Sequence, residues 1–391
     1  MGTMKPEPMP WRMHAPFYLC TLAWNFGLGM TYPLIPLYAD SLGMSGVTIG
    51  TLISLPVFLQ IAFNLAGGAL TDRVGGRLLV LVSCLLMCLG ATAYAHSASF
   101  GFLLMAQMVM VMSRAMFWPA TWTIAGQLPG SRSVELGRLN TMTNLGQILG
   151  TLFGGISIAL AGFGGSFMLL AVVALLAFGI MLHHPRAARV VSGEPFAPLS
   201  RYARLIRLRP MLFIIMCAYI SALPFSLSVS FYPLLFDAYG YSHETNGFIL
   251  CLRGVGAAAA GMVVARYLDF SMKGTVAIGS AIAVAIAVGA AGLLDHLPTV
   301  SLLIFLVGFG SGLMSLNFQI MVAEVSAQED RGSANALGGL GWGLSHLSTP
   351  LLMGFLRDSI GIEQAFVILS LVVFAWTAGL AWLHRWAFGR P

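Results

Sequence analysis

The chain is 391 residues long, with 58% hydrophobic and 9% charged residues, a formal net charge of +6 and a mean hydropathy of +0.86. Soluble domains carry roughly a quarter of their residues as charges, so water is excluded as the main solvent. Too little sequence lies between the apolar segments to build an ordinary soluble domain.

In chain order, apolar segments occupy 15–38, 46–68, 78–96, 100–127, 137–162, 164–184, 210–236, 245–267, 274–294, 298–325, 333–356 and 361–384. Each is long enough to cross a hydrocarbon layer roughly 30 Å thick as a helix. Lipid offers backbone amides no partners, and segments this long and uniformly apolar suit helices rather than barrel strands. The first exceeds twenty residues and lacks a small-residue cleavage pattern, so it reads as a retained helix. Cys20, Cys84, Cys88, Cys217 and Cys251 all fall inside apolar segments, where inert buried thiols are expected and neither disulfides nor a metal cluster is.

Lys and Arg resist translocation, and their positions set the orientation. With both termini on the cytoplasmic side of the inner membrane, Arg73, Arg77, Arg132, Arg138, Arg266 and Arg331 fall inside, and only Arg357 falls outside. Topology therefore accounts for the basic sequence, and no nucleic-acid partner is called for.

The longest polar stretch, 185–209, carries Pro185, Pro195, Pro198 and six arginines and divides the spans six and six. The expected organisation is an N-terminal six-helix bundle over 1–184, a cytoplasmic linker over 185–209 and a C-terminal six-helix bundle over 210–391. The halves echo each other. Tyr32-Pro33-Leu34 recurs as Tyr232-Pro233-Leu234, and Gly137, Asn140, Leu145 and Gly146 pair with Gly332, Asn335, Leu340 and Gly341 at a constant offset of 195 residues. A duplicated six-helix unit is the simplest account, and such repeats place a substrate site near the midplane between the halves. Pro33, Pro36, Pro56, Pro119, Pro224 and Pro233 are expected to interrupt helices and let them bend.

Between the second and third spans lies GALTDRVGGR, with Gly68, Asp72, Arg73, Gly75 and Arg77 at fixed spacing in a short basic loop. The chain here resembles the major facilitator superfamily, although Gly76 stands where that family usually has a first basic residue. The resemblance implies an all-α membrane protein of twelve transmembrane helices in two pseudo-symmetric six-helix bundles. It also implies that this loop latches the halves in the outward-facing state, with Asp269 of the second half as a weaker counterpart. On the fifth span, Gly146, Gly150, Gly154 and Gly155 resemble the family's antiporter signature, with Thr151 in place of its proline. Small residues at this spacing also form a stripe for close helix packing.

A charge at mid-bilayer costs several kcal/mol unless it faces a cavity or a partner. Arg114 and Arg253 are the two that qualify, and Arg114 matches the arginine of the family's fourth-helix signature. Every acidic residue lies near a span end or in a loop, so a positive chamber is expected, in which either arginine would contact an anionic or zwitterionic group. Asn25, Asn144, Gln147, Asn317 and Gln319 are candidate lining amides, and Tyr32, Trp118, Trp122 and Tyr232 candidate aromatic contacts for an organic solute. Tyr219, Trp342 and His346 also lie within apolar segments. Met108, Met112 and Met116 fall at helical spacing; thioethers suit Cu(I), although such a stripe also serves as an adaptable apolar face.

The leading expectation is a secondary active transporter that moves a small organic solute by alternating access, coupled to protons in the direction of efflux. An alternative is uptake or exchange of an organic anion bound by Arg114 and Arg253, and a minor one is copper transport along the methionines. No serine elbow, metal-ligand spacing or phosphate-cradling loop points to catalysis or to a nucleotide. No enzyme activity, resident cofactor or metal is expected; the expected partners are the solute, protons and the lipid bilayer, and the expected state is a monomer.

Overall fold

The computed structural model describes residues 14–63, 74–129, 131–185, 199–264, 273–326 and 331–388. The first half comprises α1 (Ala15–Ser41), α2 (Gly46–Ser54), α3 (57–63), α4 (Gly76–Ala95), α5 (Phe100–Gln127) and α6 (Arg132–Leu182). A short helix, α7 (Leu199–Ile206), lies inside the stretch expected to be a plain linker. The second half comprises α8 (Arg209–Ser228), α9 (Tyr232–Ala238), α10 (His243–Val264), α11 (Lys273–Ala291), α12 (Leu297–Val325), α13 (Arg331–Ile360) and α14 (Ile362–Phe388). Helix α6 turns at Gly162, whose φ of 67° belongs to the left-handed region, so it forms two passes; α2 with α3, and α8 with α9, each form one pass in two pieces.

Twelve passes result among the described residues, with bounds close to those read from the sequence. Eight helical stretches combine span length with high mean hydropathy. Helices α1, α10 and α13 complete the set with more polar or glycine-rich sequence, and they supply much of the central site described below.

The expected proline breaks are only partly found. Helix α1 runs through Pro33 and Pro36, α5 through Pro119 and α8 through Pro224. The interruptions fall at Pro56 and at 229–231, just before Pro233, which sits in the first turn of α9 where a missing N–H costs nothing. Inside a membrane, neighbouring helices can satisfy the carbonyl that a proline releases, so proline alone does not dictate a break.

Packing is closest where glycine removes the side chain. A Cβ on Gly146, Gly150 or Gly154 would come within 2.5, 1.9 and 2.8 Å of the carbonyl oxygens of Leu22, Phe26 and Met30, so α6 lies backbone to backbone on α1. The repeat partner of Gly146, Gly341 on α13, meets the Ile215 carbonyl of α8 at 2.3 Å in the same sense. Each half thus seats its fifth pass on its first by the same device.

The halves touch through α2 against α13 and through α6 against α10. The second pass of each half therefore meets the fifth pass of the other, as a pseudo-twofold axis requires. Backbones are almost in contact at one end of the bundle: Gly50 faces the Pro350 carbonyl at 2.3 Å, Gly354 the Gly46 carbonyl at 2.3 Å and Gly155 the His243 carbonyl at 2.1 Å, measured from an added Cβ. Gly155 therefore joins the two halves, unlike the other three glycines of its motif. At the same end Arg357 pairs with Asp40 at 2.5 Å. The Asp358 carboxylate accepts from the Gly46 and Val47 N–H groups at 2.6 and 2.9 Å, capping α2 from the opposite half.

Candidate functional site

Helix α5 brings Arg114 and α10 brings Arg253 into the joint between the halves. The Nε atom of each is buried and has no hydrogen-bond partner. Arg253 lies over the Phe225 ring at 5.2 Å, a cation–π contact supplied by α8. Tyr32, from α1, meets the same ring edge-on at 5.2 Å and lies within electrostatic reach of both arginines. Its repeat partner Tyr232 reaches Arg253 from α9, stacked on Phe236 and Phe366. Helix α13 closes the ring with Trp342 and His346, stacked at 4.8 Å, and the imidazole lies 5.0 Å from Phe225 and within reach of both arginines.

Both tyrosine hydroxyls and the Nε2 atom of His346 are likewise buried without a partner. Five polar groups from α1, α5, α9, α10 and α13 thus converge unsatisfied. A buried polar group without a hydrogen bond costs on the order of 1–3 kcal/mol, and such groups are rare in proteins unless something else completes them. Both charges in this set are positive, and the electrostatic partners of Arg114 and Arg253 are tyrosines.

Three carboxylates among the described residues are engaged elsewhere. Asp40 and Asp358 serve the sealed end, and Glu135, at the first turn of α6, pairs with Arg138 at 2.9 Å and accepts from the Tyr18 hydroxyl. Glu135 is buried, so one acid near a span end is drawn inside, although it sits beside its own arginine rather than beside Arg114 or Arg253.

Other expected lining residues divide into three groups. Asn25 donates to the Thr21 carbonyl at 2.8 Å and accepts from Gln147 at 3.0 Å, so these two amides satisfy each other across α1 and α6. Trp118 stands edge-on to Trp24, which stacks on Phe117 at 3.8 Å beside the Arg114 turn. Trp122, Asn144 and Gln319 are exposed and are not brought into the cluster, while Asn317 is buried on α12.

In the basic loop, Gly68, Asp72 and Arg73 lie outside the described residues, as does Asp269. Gly75 precedes α4 at φ 93°, and Arg77 donates to the Leu182 carbonyl at 2.8 Å, docking on the C-terminal end of α6. Met108, Met112 and Met116 form a half-buried stripe along α5.

The candidate set read from the sequence left out Phe225 and Ser226, and it named His346 only among the residues of the apolar segments, without a role of its own. The available signal was an imidazole four residues after a tryptophan within an apolar segment, a spacing that stacks the two rings on one helix face.

The sequence profile described as Major Facilitator Superfamily matches residues 17–270 and 214–390. Quinolone resistance protein NorA of Staphylococcus aureus is 25% identical over 179 residues, covering 44% of this chain and 45% of that protein, so the chain spans about half the length of this curated relative. The Multi-drug resistance efflux pump PmrA homolog of Lactococcus lactis is 24% identical over 369 residues, covering 89% of this chain and 88% of that one. Among solved structures, a bacterial homolog of the human lysosomal transporter Spinster, inward-facing and occupied, superposes with a TM-score of 0.79 at 14% identity over 97% of this chain and 98% of that one. The nucleoside transporter NupG superposes with a TM-score of 0.77 at 13% identity over 95% and 99%.

Proposed function

This chain belongs to the Major Facilitator Superfamily and is a membrane transporter rather than an enzyme, and we propose that its solute is a small organic anion held between Arg114 and Arg253. The observation that carries this reading is the convergence of unsatisfied polar groups on two positive charges at the joint between the halves. A guanidinium bound to a carboxylate or phosphate makes short, charge-assisted bonds, and the aromatic rings around it suit a flat organic body. Because one arginine comes from each half, an anion bridging them draws the halves together, which is the step alternating access requires.

The excess of Lys and Arg on the opposite side supports taking the sealed end, with Asp40 and Arg357, as the outer face, with both termini in the cytoplasm and the protein in the inner membrane. Both bundles and the site between them belong to one chain, so a monomer suffices.

A second reading, proton-driven efflux of an organic compound, draws support from the resistance and efflux proteins that the chain resembles and from the glycine stripe of α6. Flux of labelled organic anions and lipophilic cations in proteoliposomes separates the two. Saturable anion flux whose KM rises roughly tenfold or more in Arg114→Gln and in Arg253→Gln is expected. Cation flux with no anion flux would leave the second reading in place.

A further inference from the structure

The central site gathers two guanidinium groups around one imidazole, and the imidazole is arranged to accept a proton. His346 is 8% exposed. Its Nδ1 lies 3.0 Å from the Trp342 carbonyl and 3.2 Å from the Ser226 hydroxyl oxygen. A carbonyl can only accept, and Ser226 has its own hydrogen directed at the Ala222 carbonyl at 3.2 Å. Nδ1 therefore carries the hydrogen of the neutral ring, and Nε2 carries the lone pair. Nε2 is the nitrogen that is buried without a partner.

The charged groups that face His346 are Arg114 from α5 and Arg253 from α10. Helix α8 contributes Phe225 and Ser226, and α2 contributes the Ser54 hydroxyl, which meets the His346 carbonyl at 3.4 Å. No carboxylate joins this set among the described residues.

We propose that His346 carries the proton that travels with the anion. The inference rests on the anion site of the preceding section and adds its coupling. On the side where the anion enters, Nε2 takes a proton from water; on the side where the anion leaves, it returns that proton to water, while Nδ1–H stays on the Trp342 carbonyl throughout. A proton on Nε2 adds positive charge to a site that already holds two guanidinium groups, and a bound anion offsets that charge. Proton and anion thus strengthen each other's binding, and by linkage the effect is reciprocal, on the order of tenfold or more. A carrier of this kind moves both in the same direction, toward the more alkaline side.

The experiment uses the purified full-length protein with salicylate, benzoate and benzenesulfonate as probes, none of which titrates near neutral pH. Binding is followed by thermal shift, and proton uptake by a pH dye in weak buffer. Proton uptake of up to one per anion should accompany binding to the wild type, and it should rise as the pH is lowered from neutral. His346→Gln and His346→Asn, checked for an unchanged unfolding midpoint, should bind the anion more weakly than the wild type does at low pH, without proton uptake and with affinity independent of pH.

In proteoliposomes, an inward-acid gradient should drive anion accumulation by the wild type and not by either variant. Proton uptake that persists in both variants, or anion binding by the wild type without proton uptake, would overturn the role of His346 and leave the anion site standing. If none of the three probes binds, the anion site itself fails, and the proposal with it.

Discussion

Arginine is used in two opposite ways in this molecule. At the sealed end, Arg357 meets Asp40 at 2.5 Å while Asp358 caps α2, so each charge has a protein partner from the other half. At the centre, Arg114 and Arg253 have tyrosines and aromatic rings about them among the described residues. A paired arginine between two bundles holds one conformation, whereas an unpaired one stores a demand that a solute can meet. Under the proposed function, the rim is a clasp and the centre a receptor for charge.

Removing the central charges tests this contrast most severely. Arg114→Gln and Arg253→Gln should each lower anion affinity by roughly 10- to 100-fold, since a hydrogen bond to a charged group contributes about 1.5–3 kcal/mol. Without anion, the same variants should unfold at an equal or higher temperature than the wild type, because an uncompensated buried charge is lost. Calorimetry with and without salicylate reads both effects. Lower stability of the anion-free protein in both variants would show that these arginines are structural.

Much of the bundle was legible in the sequence because lipid imposes one rule on every span. The segment at 100–127 became Phe100–Gln127 and that at 298–325 became Leu297–Val325. The offset that pairs Gly146 with Gly341 reappears as two equivalent helix contacts. The site was only half legible. Arg114 and Arg253 stand out by the cost of burying charge, and Tyr32 and Tyr232 by repeat position. His346 left only the faint trace of a tryptophan four residues before it, and Phe225 is drawn in by contacts between helices that no local pattern records. Asn25 and Gln147 look like free amides until α1 and α6 are packed, when each becomes the other's partner. The clasp joins residues 317 positions apart, and its two ends carry no shared motif.

Glycine substitutions sharpen the contrast at intermediate cost. A Cβ on Gly308 of α12 would sit 2.0 Å from the Arg253 carbonyl, and one on Gly354 of α13 would sit 2.3 Å from the Gly46 carbonyl. Both Gly308→Ala and Gly354→Ala should destabilise the protein by about 1–3 kcal/mol, the usual cost of forcing atoms into a packed contact. Their functional effects should differ. Gly308→Ala displaces α10 and should raise the KM for anion flux, while Gly354→Ala should spare binding and loosen the rim. Equal effects on KM would erase the distinction between the two regions.

The clasp itself should yield the smallest change. Asp40 and Arg357 side chains are 28% and 24% exposed, so solvent screens their attraction, and a double-mutant cycle with Asp40→Asn and Arg357→Gln should return about 0.5–1 kcal/mol. Asp358→Asn keeps the shape of the cap but removes its negative charge from the start of α2, for about 0.3–1 kcal/mol more. Each loss shifts the balance between the two faces of the carrier only several-fold. The readout must therefore report the population of the open rim: the rate at which a maleimide labels a cysteine placed at Ser54, which is fully buried behind the clasp. Labelling should rise several-fold in each clasp variant and fall again when salicylate is present, since an anion bridging Arg114 and Arg253 pulls the halves together. If labelling rises equally in Arg253→Gln without anion, the rim and the centre are one electrostatic system, and the division of labour between paired and unpaired arginines is wrong.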